Sequence, residues 1–261
     1  MANKNINFKA VAFPREHGSW GFVLEPLTLS VIIAFSTNGL LIALASFLTF
    51  LAHQPIRIIL KKGIAKKLKR NAVFFLGLYS LLAVFSMIPV IKSEDLFVLT
   101  PLFFVMVLML YFLYLETSGL ARNVYAELIA PVSINIIALS IVLAGNWQLP
   151  QTLALFIVLL NRSVPTTFYI HEKLNSLKNN SINSRRLIIV TITGLIAVVI
   201  LAFMNLVPYL SVIAVLILAG RIFHGFTKKA KRLTVKQIGM LEFLYGTIFV
   251  IVNAIGYLYG L

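Results

Sequence analysis

The chain has 261 residues, 60% of them apolar and 12% charged, with a mean hydropathy of +0.95. A soluble domain carries roughly 45 to 50% apolar residues, so this composition excludes an ordinary soluble protein. Lys and Arg number 23 against 8 Asp and Glu, and there is no cysteine. That absence excludes disulfides, thiolate nucleophiles and cysteine-based metal sites.

A helix needs about 20 mostly apolar residues to cross the hydrocarbon core. Nine runs of that kind follow one another, near 17–37, 39–59, 72–91, 97–115, 124–144, 149–169, 187–205, 208–224 and 239–259. The first has an apolar stretch too long for a signal h-region and no small-residue cleavage site after it, so it reads as a retained span. The expected fold is an all-α polytopic helical bundle, a single transmembrane domain over 1–261 with a short cytoplasmic tail, 1–13.

Nine spans put alternate connections on opposite faces, and charge tests the count. One face collects 22 of the 23 basic residues; Lys92 alone falls on the other, beside Glu94 and Asp95. The positive-inside rule then places the N-terminus in the cytoplasm and the C-terminus outside. The clusters Lys61 to Arg70 and Lys228 to Lys236 are juxtamembrane. They read as topology signals and contacts to anionic inner-leaflet lipids, not as a nucleic-acid surface.

Ionisable groups inside a span are costly, about 2.5 to 3.5 kcal/mol for charged residues at mid-helix. Here they are one-sided. His17, His53, His171 and His224 lie at cytoplasmic span ends, and Glu16, Glu25, Glu116, Glu127, Glu172 and Glu242 share that half. This clustering suggests a polar chamber open to the cytoplasm, with the ends of spans one, two, six and nine converging on it and bringing His17, His53 and His171 near Glu242.

Span one has the densest pattern, Pro14-Arg15-Glu16-His17-Gly18-Ser19-Trp20-Gly21, then Glu25-Pro26. At 100° per residue, His17, Gly21 and Glu25 spread over about 80° of the helix, so Glu25 should face the bundle interior. Pro26 frees a carbonyl one turn back, and Trp20 reads as an interfacial anchor. In span five Glu127 and Asn135 are again eight residues apart, around Pro131. In span nine Glu242 and Asn253 fall within about 20° of alignment. Both pairs are expected to point inward; the asparagines also suit plain helix-to-helix hydrogen bonds. His53-Gln54-Pro55-Ile56-Arg57 closes span two, and Asn161-Arg162-Ser163-Val164-Pro165 leads to Tyr169-Ile170-His171-Glu172 in span six. Arginine presents a planar fork suited to phosphate or carboxylate oxygens, with snorkelling to headgroups as the alternative.

The opening Pro14-Arg15-Glu16-His17-Gly18-Ser19-Trp20 resembles the Pro-basic-acidic-or-Gln-His-Gly-Ala-Trp signature of the YwiC-like family of bacterial membrane proteins, and Lys236 to Glu242 resembles that family's late Gly-x-x-Glu segment. A more distant likeness is to the UbiA superfamily of intramembrane prenyltransferases, in helix number, inside N-terminus, and polar segments after helices two and six. Those enzymes hold magnesium and a prenyl diphosphate with Asp-rich motifs, whereas His53 to Arg57 and Asn161 to Glu172 contain no Asp. The likeness therefore implies a UbiA-like bundle gripping an anionic headgroup directly, without a Mg²⁺ clamp.

These readings combine into a protein that binds an amphiphile, an isoprenoid or lipid with an anionic head. Glu25, His17 and Glu242 are the candidate acid–base groups. His53, Arg57, Asn161, Arg162, Tyr169, His171, Glu127 and Asn135 are the candidate binding groups. The enzyme class, if there is one, is an intramembrane transferase or lyase, with no cofactor legible. A permease with Glu25, Glu127 and Glu242 as proton or cation sites is the alternative; a metal or haem site built from His17, His53 and His171 is the third.

Overall fold

The computed structural model describes residues 8–14, 17–61, 63–119, 124–177, 184–225 and 234–261. They are helical almost throughout: α1 Lys9–Ala12, α2 His17–Ile33, α3 Thr37–Leu60, α4 Lys66–Ser93, α5 Leu96–Thr117, α6 Val124–Ala144, α7 Leu149–Leu177, α8 Ser184–Phe203, α9 Tyr209–Gly225 and α10 Val235–Tyr259. The all-α expectation holds. Among the described residues, seven helices (α3 to α8 and α10) are long and apolar enough to cross a membrane. The other two expected spans correspond to α2 and α9, apolar but only 17 residues each. At 1.5 Å per residue that is about 25 Å, short of the roughly 30 Å of the hydrocarbon core.

Local chemistry sets the helix ends. Ser36 caps α3 by accepting from the Gly39 N–H at 2.9 Å, and Thr234 with Gln237 closes a capping box on α10. Such caps satisfy N–H groups that the first turn leaves without partners. The links α6–α7 and α8–α9 turn through Asn146 and Asn205, with φ of 60° and 56°. Asparagine tolerates that left-handed region better than most residues.

The two ends of the bundle are chemically distinct. At one end the start of α3 meets the end of α4, where Asn38 Nδ2 donates to Ser93 Oγ (2.9 Å) and Glu94 Oε1 (2.7 Å), and the Leu210 N–H donates to the Leu261 carbonyl. At the other end lie Arg57, His171 and Lys173.

Six helices form a closed ring, α2 against α6, then α7, α8, α9, α10 and back to α2; α7 also reaches α9 and α10. The largest apolar core fills this ring, with Leu29, Ala138, Leu155, Val198, Leu218 and Phe249. Gly145, just beyond α6, lets the chain approach the Ala34 backbone just beyond α2 so closely that a Cβ would not fit. Helices α3, α4 and α5 are layered outside α2 and α6. α4 and α5 turn large side chains such as Phe74, Phe85, Phe103 and Phe104 outward, as a lipid solvent permits. α1 lies across α3 and α4, where Gln54 Nε2 donates to the Ala10 carbonyl, Tyr79 OH to that of Ala12, and Trp20 Nε1 to that of Pro14.

Candidate functional site: a buried ionic centre

Four helices each send one ionised side chain into the ring. Glu25 comes from α2, Arg162 from α7, Arg221 from α9 and Glu242 from α10. All four residues are 7% exposed or less. Arg162 grips Glu25 with two bonds, Nε to Oε2 at 2.6 Å and Nη2 to Oε1 at 2.9 Å. Its Nη2 also donates to the Glu242 carbonyl at 3.0 Å, and its Nη1 donates to Thr166 Oγ1 at 2.6 Å. The Glu242 carboxylate lies 3.5 Å from Arg162 Nη1 and accepts from Arg221 Nη1, and Arg221 Nη2 donates to Thr166 Oγ1 at 3.3 Å.

Two carboxylates against two guanidinium groups make the centre charge-balanced. Ion pairs survive out of water only when geometry is good and the remaining donors are satisfied. Aromatic faces complete the shell. Arg221 lies over the Tyr169 ring at 4.7 Å and the Tyr245 ring at 5.7 Å, and Arg162 over Phe22 at 5.8 Å. Glycine makes the room: a Cβ on Gly246 would fall on the Glu25 carboxylate, and one on Gly21 would come within 2.9 Å of Glu25 Oε1.

Glu25 and Glu242, expected to face inward, therefore meet, and Arg162, for which snorkelling to headgroups was the alternative, lies buried between them. Tyr169 joins them through Arg221. Asn135 is 1% exposed and donates to Ser163 Oγ at 2.7 Å, a bond between α6 and α7, while Asn253 donates to the Phe249 carbonyl of its own helix.

Other sequence-derived candidates lie apart. His53 Nε2 is 3.1 Å from Glu116 Oε2, and Arg57 Nε is 2.8 Å from Glu116 Oε1, forming a half-exposed cluster between α3 and α5. His171 pairs with Glu127 at 3.3 Å, between α7 and α6. Glu127 differs from expectation: its side chain is 43% exposed. It sits in the first turn of α6, where eight residues of spacing leave about 80° between it and Asn135. His53 and His171 thus hold different carboxylates on different helix pairs; the side chain of His17 lies outside the described residues. Among the described residues no three His, Asp or Glu side chains gather as metal ligands.

Sequence reasoning counted Arg221 only among the 22 basic residues of the cytoplasmic face and gave Thr166 and Lys173 no role. Lys173 is 1% exposed and its Nζ donates to the Gly225 carbonyl at the end of α9. The available signal was position: Arg221 follows twelve residues without a charge in α9, so it belongs to the span.

Asn161 faces away from the ionic centre into an open, mostly apolar groove of about 270 Å³ between α7 and α8, lined by Leu160, Asn161 and Val164 on one side and Val190, Gly194 and Ala197 on the other. Gly194 abuts the Asn161 amide so closely that a Cβ would overlap it. Val164 and Val190 also pack on the cluster of Phe168, Tyr169, Leu187 and Ile222, which joins the groove wall to the Tyr169 face of the ionic centre.

Apolar helices of spanning length, large apolar side chains facing outward and ionised groups turned inward define a multi-pass integral membrane protein. The family model described as YwiC-like protein matches residues 13–142, and the chain belongs to that family. No curated protein and no solved structure matches it. The matched half holds Glu25, His53, Arg57 and Glu116; Arg162, Arg221 and Glu242 lie beyond it. The ionic centre ties the two halves together.

Proposed function

We propose that this protein binds an amphiphile within the membrane, with an apolar chain in the α7–α8 groove and an anionic head near the ionic centre. The observation that carries the reading is the continuity of that groove with the wall of Tyr169, which backs Arg221. Intramembrane ligand sites pair apolar walls with a few placed polar groups, and ionised side chains at this depth mark functional sites. An isoprenoid or lipid bearing phosphate or carboxylate fits both halves. Binding is the whole of this proposal; the carboxylates that a prenyl-transfer step would use, Glu25 and Glu242, are both held by arginine.

The same proposal includes nine spans in a UbiA-like arrangement in a bacterial cytoplasmic membrane, N-terminus in and C-terminus out. Two facts support it: the division of basic residues, and the alternate pairing of helix ends, Asn38 with Glu94 at one face and Arg57 with Glu116 at the other. A reporter fused after Leu261 is expected to be active only outside the cytoplasm; activity inside contradicts the count.

The test of binding is mass spectrometry of lipids that co-purify in mild detergent. One isoprenoid or anionic lipid enriched over its share in the host membrane is expected, with most of it lost from Ala197→Phe, which fills the groove. Bulk lipid in host proportions, or full retention by a folded Ala197→Phe variant, overturns the reading.

A further inference from the structure

In the α7–α8 groove most of the lining is hydrocarbon, and Asn161 is the amide set into it. Its side chain is buried, and Nδ2 donates to the Ile157 carbonyl of its own helix at 2.9 Å. That bond fixes which way the amide points, and Oδ1 faces Gly194 of α8, where a Cβ would stand. A glycine Cα–H is a weak partner for an amide oxygen. The amide can therefore accept a full hydrogen bond at Oδ1, and Nδ2 carries a second N–H.

A further acceptor belongs to the same wall. Pro165 lies inside α7 and lines the groove one turn after Asn161. Proline has no N–H, so the backbone carbonyl of Asn161, four residues earlier, loses its helix partner. Across the groove, Thr193 directs its hydroxyl hydrogen to the carbonyls of Ile189 and Val190, which leaves its oxygen only to accept. Asn161, Pro165 and Thr193 all border one cavity.

Depth narrows what can fill it. Asn161 stands about 18 Å along α7 from Leu149, near the middle of a hydrocarbon core roughly 30 Å thick. Lipid headgroups do not reach that level, and a backbone oxygen left without a donor there is costly. A charged group would be costlier. The small neutral group that both donates to these oxygens and accepts from Nδ2 is a hydroxyl.

We infer that Asn161 and the carbonyl freed by Pro165 form a hydroxyl-selective subsite of the groove, which takes an O–H carried by the apolar part of the ligand. The inference rests on the groove half of the amphiphile reading, does not depend on the ionic centre, and adds a hydroxyl to the ligand's chemistry.

The test is the thermal unfolding of the full-length protein in uncharged detergent, titrated with farnesol and with farnesyl methyl ether. The two probes share a chain and differ in the O–H. Farnesol is expected to stabilise wild type at about fivefold lower concentration, the change that one neutral hydrogen bond gives. Asn161→Leu removes the amide at similar size. Pro165→Ala returns an N–H to the Asn161 carbonyl and, because proline is the poorest helix former, should raise the unfolding temperature of the protein without probe. That second variant keeps the test open if Asn161→Leu does not fold. Loss of the farnesol preference in either folded variant supports the subsite and identifies the acceptor in use. Equal responses of wild type to the two probes, or a preference kept by every folded variant, overturn this inference and leave the groove reading intact. No response to either probe overturns both.

Discussion

Arg162 and Arg57 each hold a glutamate through Nε, at 2.6 and 2.8 Å, yet their side chains are 4% and 43% exposed. The two Nε contacts have nearly the same length and opposite settings. Around Arg57, Glu116 and His53, water and headgroups can replace any partner that leaves, so the pair contributes little to stability. Around Arg162 nothing replaces a lost partner, so removal of one member strands the others in a low-dielectric core. Solvation, more than hydrogen-bond length, decides what a charge pair is for in this molecule.

The most severe disruption of that contrast is Arg162→Leu. It leaves Glu25 without its clamp and should cost about 3 to 5 kcal/mol, read as loss of folded protein or a collapse in thermal stability in detergent. Arg57→Leu should cost about 1 kcal/mol or less. Equal losses would show that burial does not separate the two sites. Next in size is Gly246→Ala, whose methyl must displace the Glu25 carboxylate. Overpacking of this kind costs about 1 to 3 kcal/mol, and a stability no lower than wild type would mean that the centre is loosely packed. On the same helix Gly239 has open space around it, so Gly239→Ala should gain about 0.5 to 1 kcal/mol in the same assay. The smallest effect is ionic. At 1 M salt the Debye length falls to about 3 Å, so the slight difference between wild type and Arg57→Gln should vanish. The larger difference for Arg162→Lys should persist, and its disappearance would mark the centre as wet.

Much of the ionic centre was legible in the sequence. Depth and helical phase turned Glu25, Glu242 and Asn253 inward, because an ionised or amide group facing lipid is too costly to keep there. Partners were not legible. Glu25 and Arg162 lie 137 positions apart, and no periodicity within one helix reports which neighbour the ring will bring. Arg221 was hidden by company: a census that counts charges by nearness to a basic loop assigns it to the loop, although its side chain points into the bundle. Glu127 erred the other way. Its helical phase resembled that of an inward group, but at the first turn of α6 depth no longer forces the side chain inside. The short helix α2 marks the same boundary for the fold, since its apolar run in the sequence continues past Ile33, where the helix ends.

The separation of Glu25 from Arg162 also has a consequence for biosynthesis. Ribosomes add about 5 to 20 residues per second, so the clamp that holds Glu25 is made on the order of 7 to 27 seconds after Glu25 itself. Through that interval α2 carries a carboxylate with no guanidinium to meet it, and Glu242 arrives later still. Helix α2 therefore cannot settle into its final place as it leaves the ribosome. It has to wait at the insertion machinery, or ride high in the bilayer, until α7 is delivered.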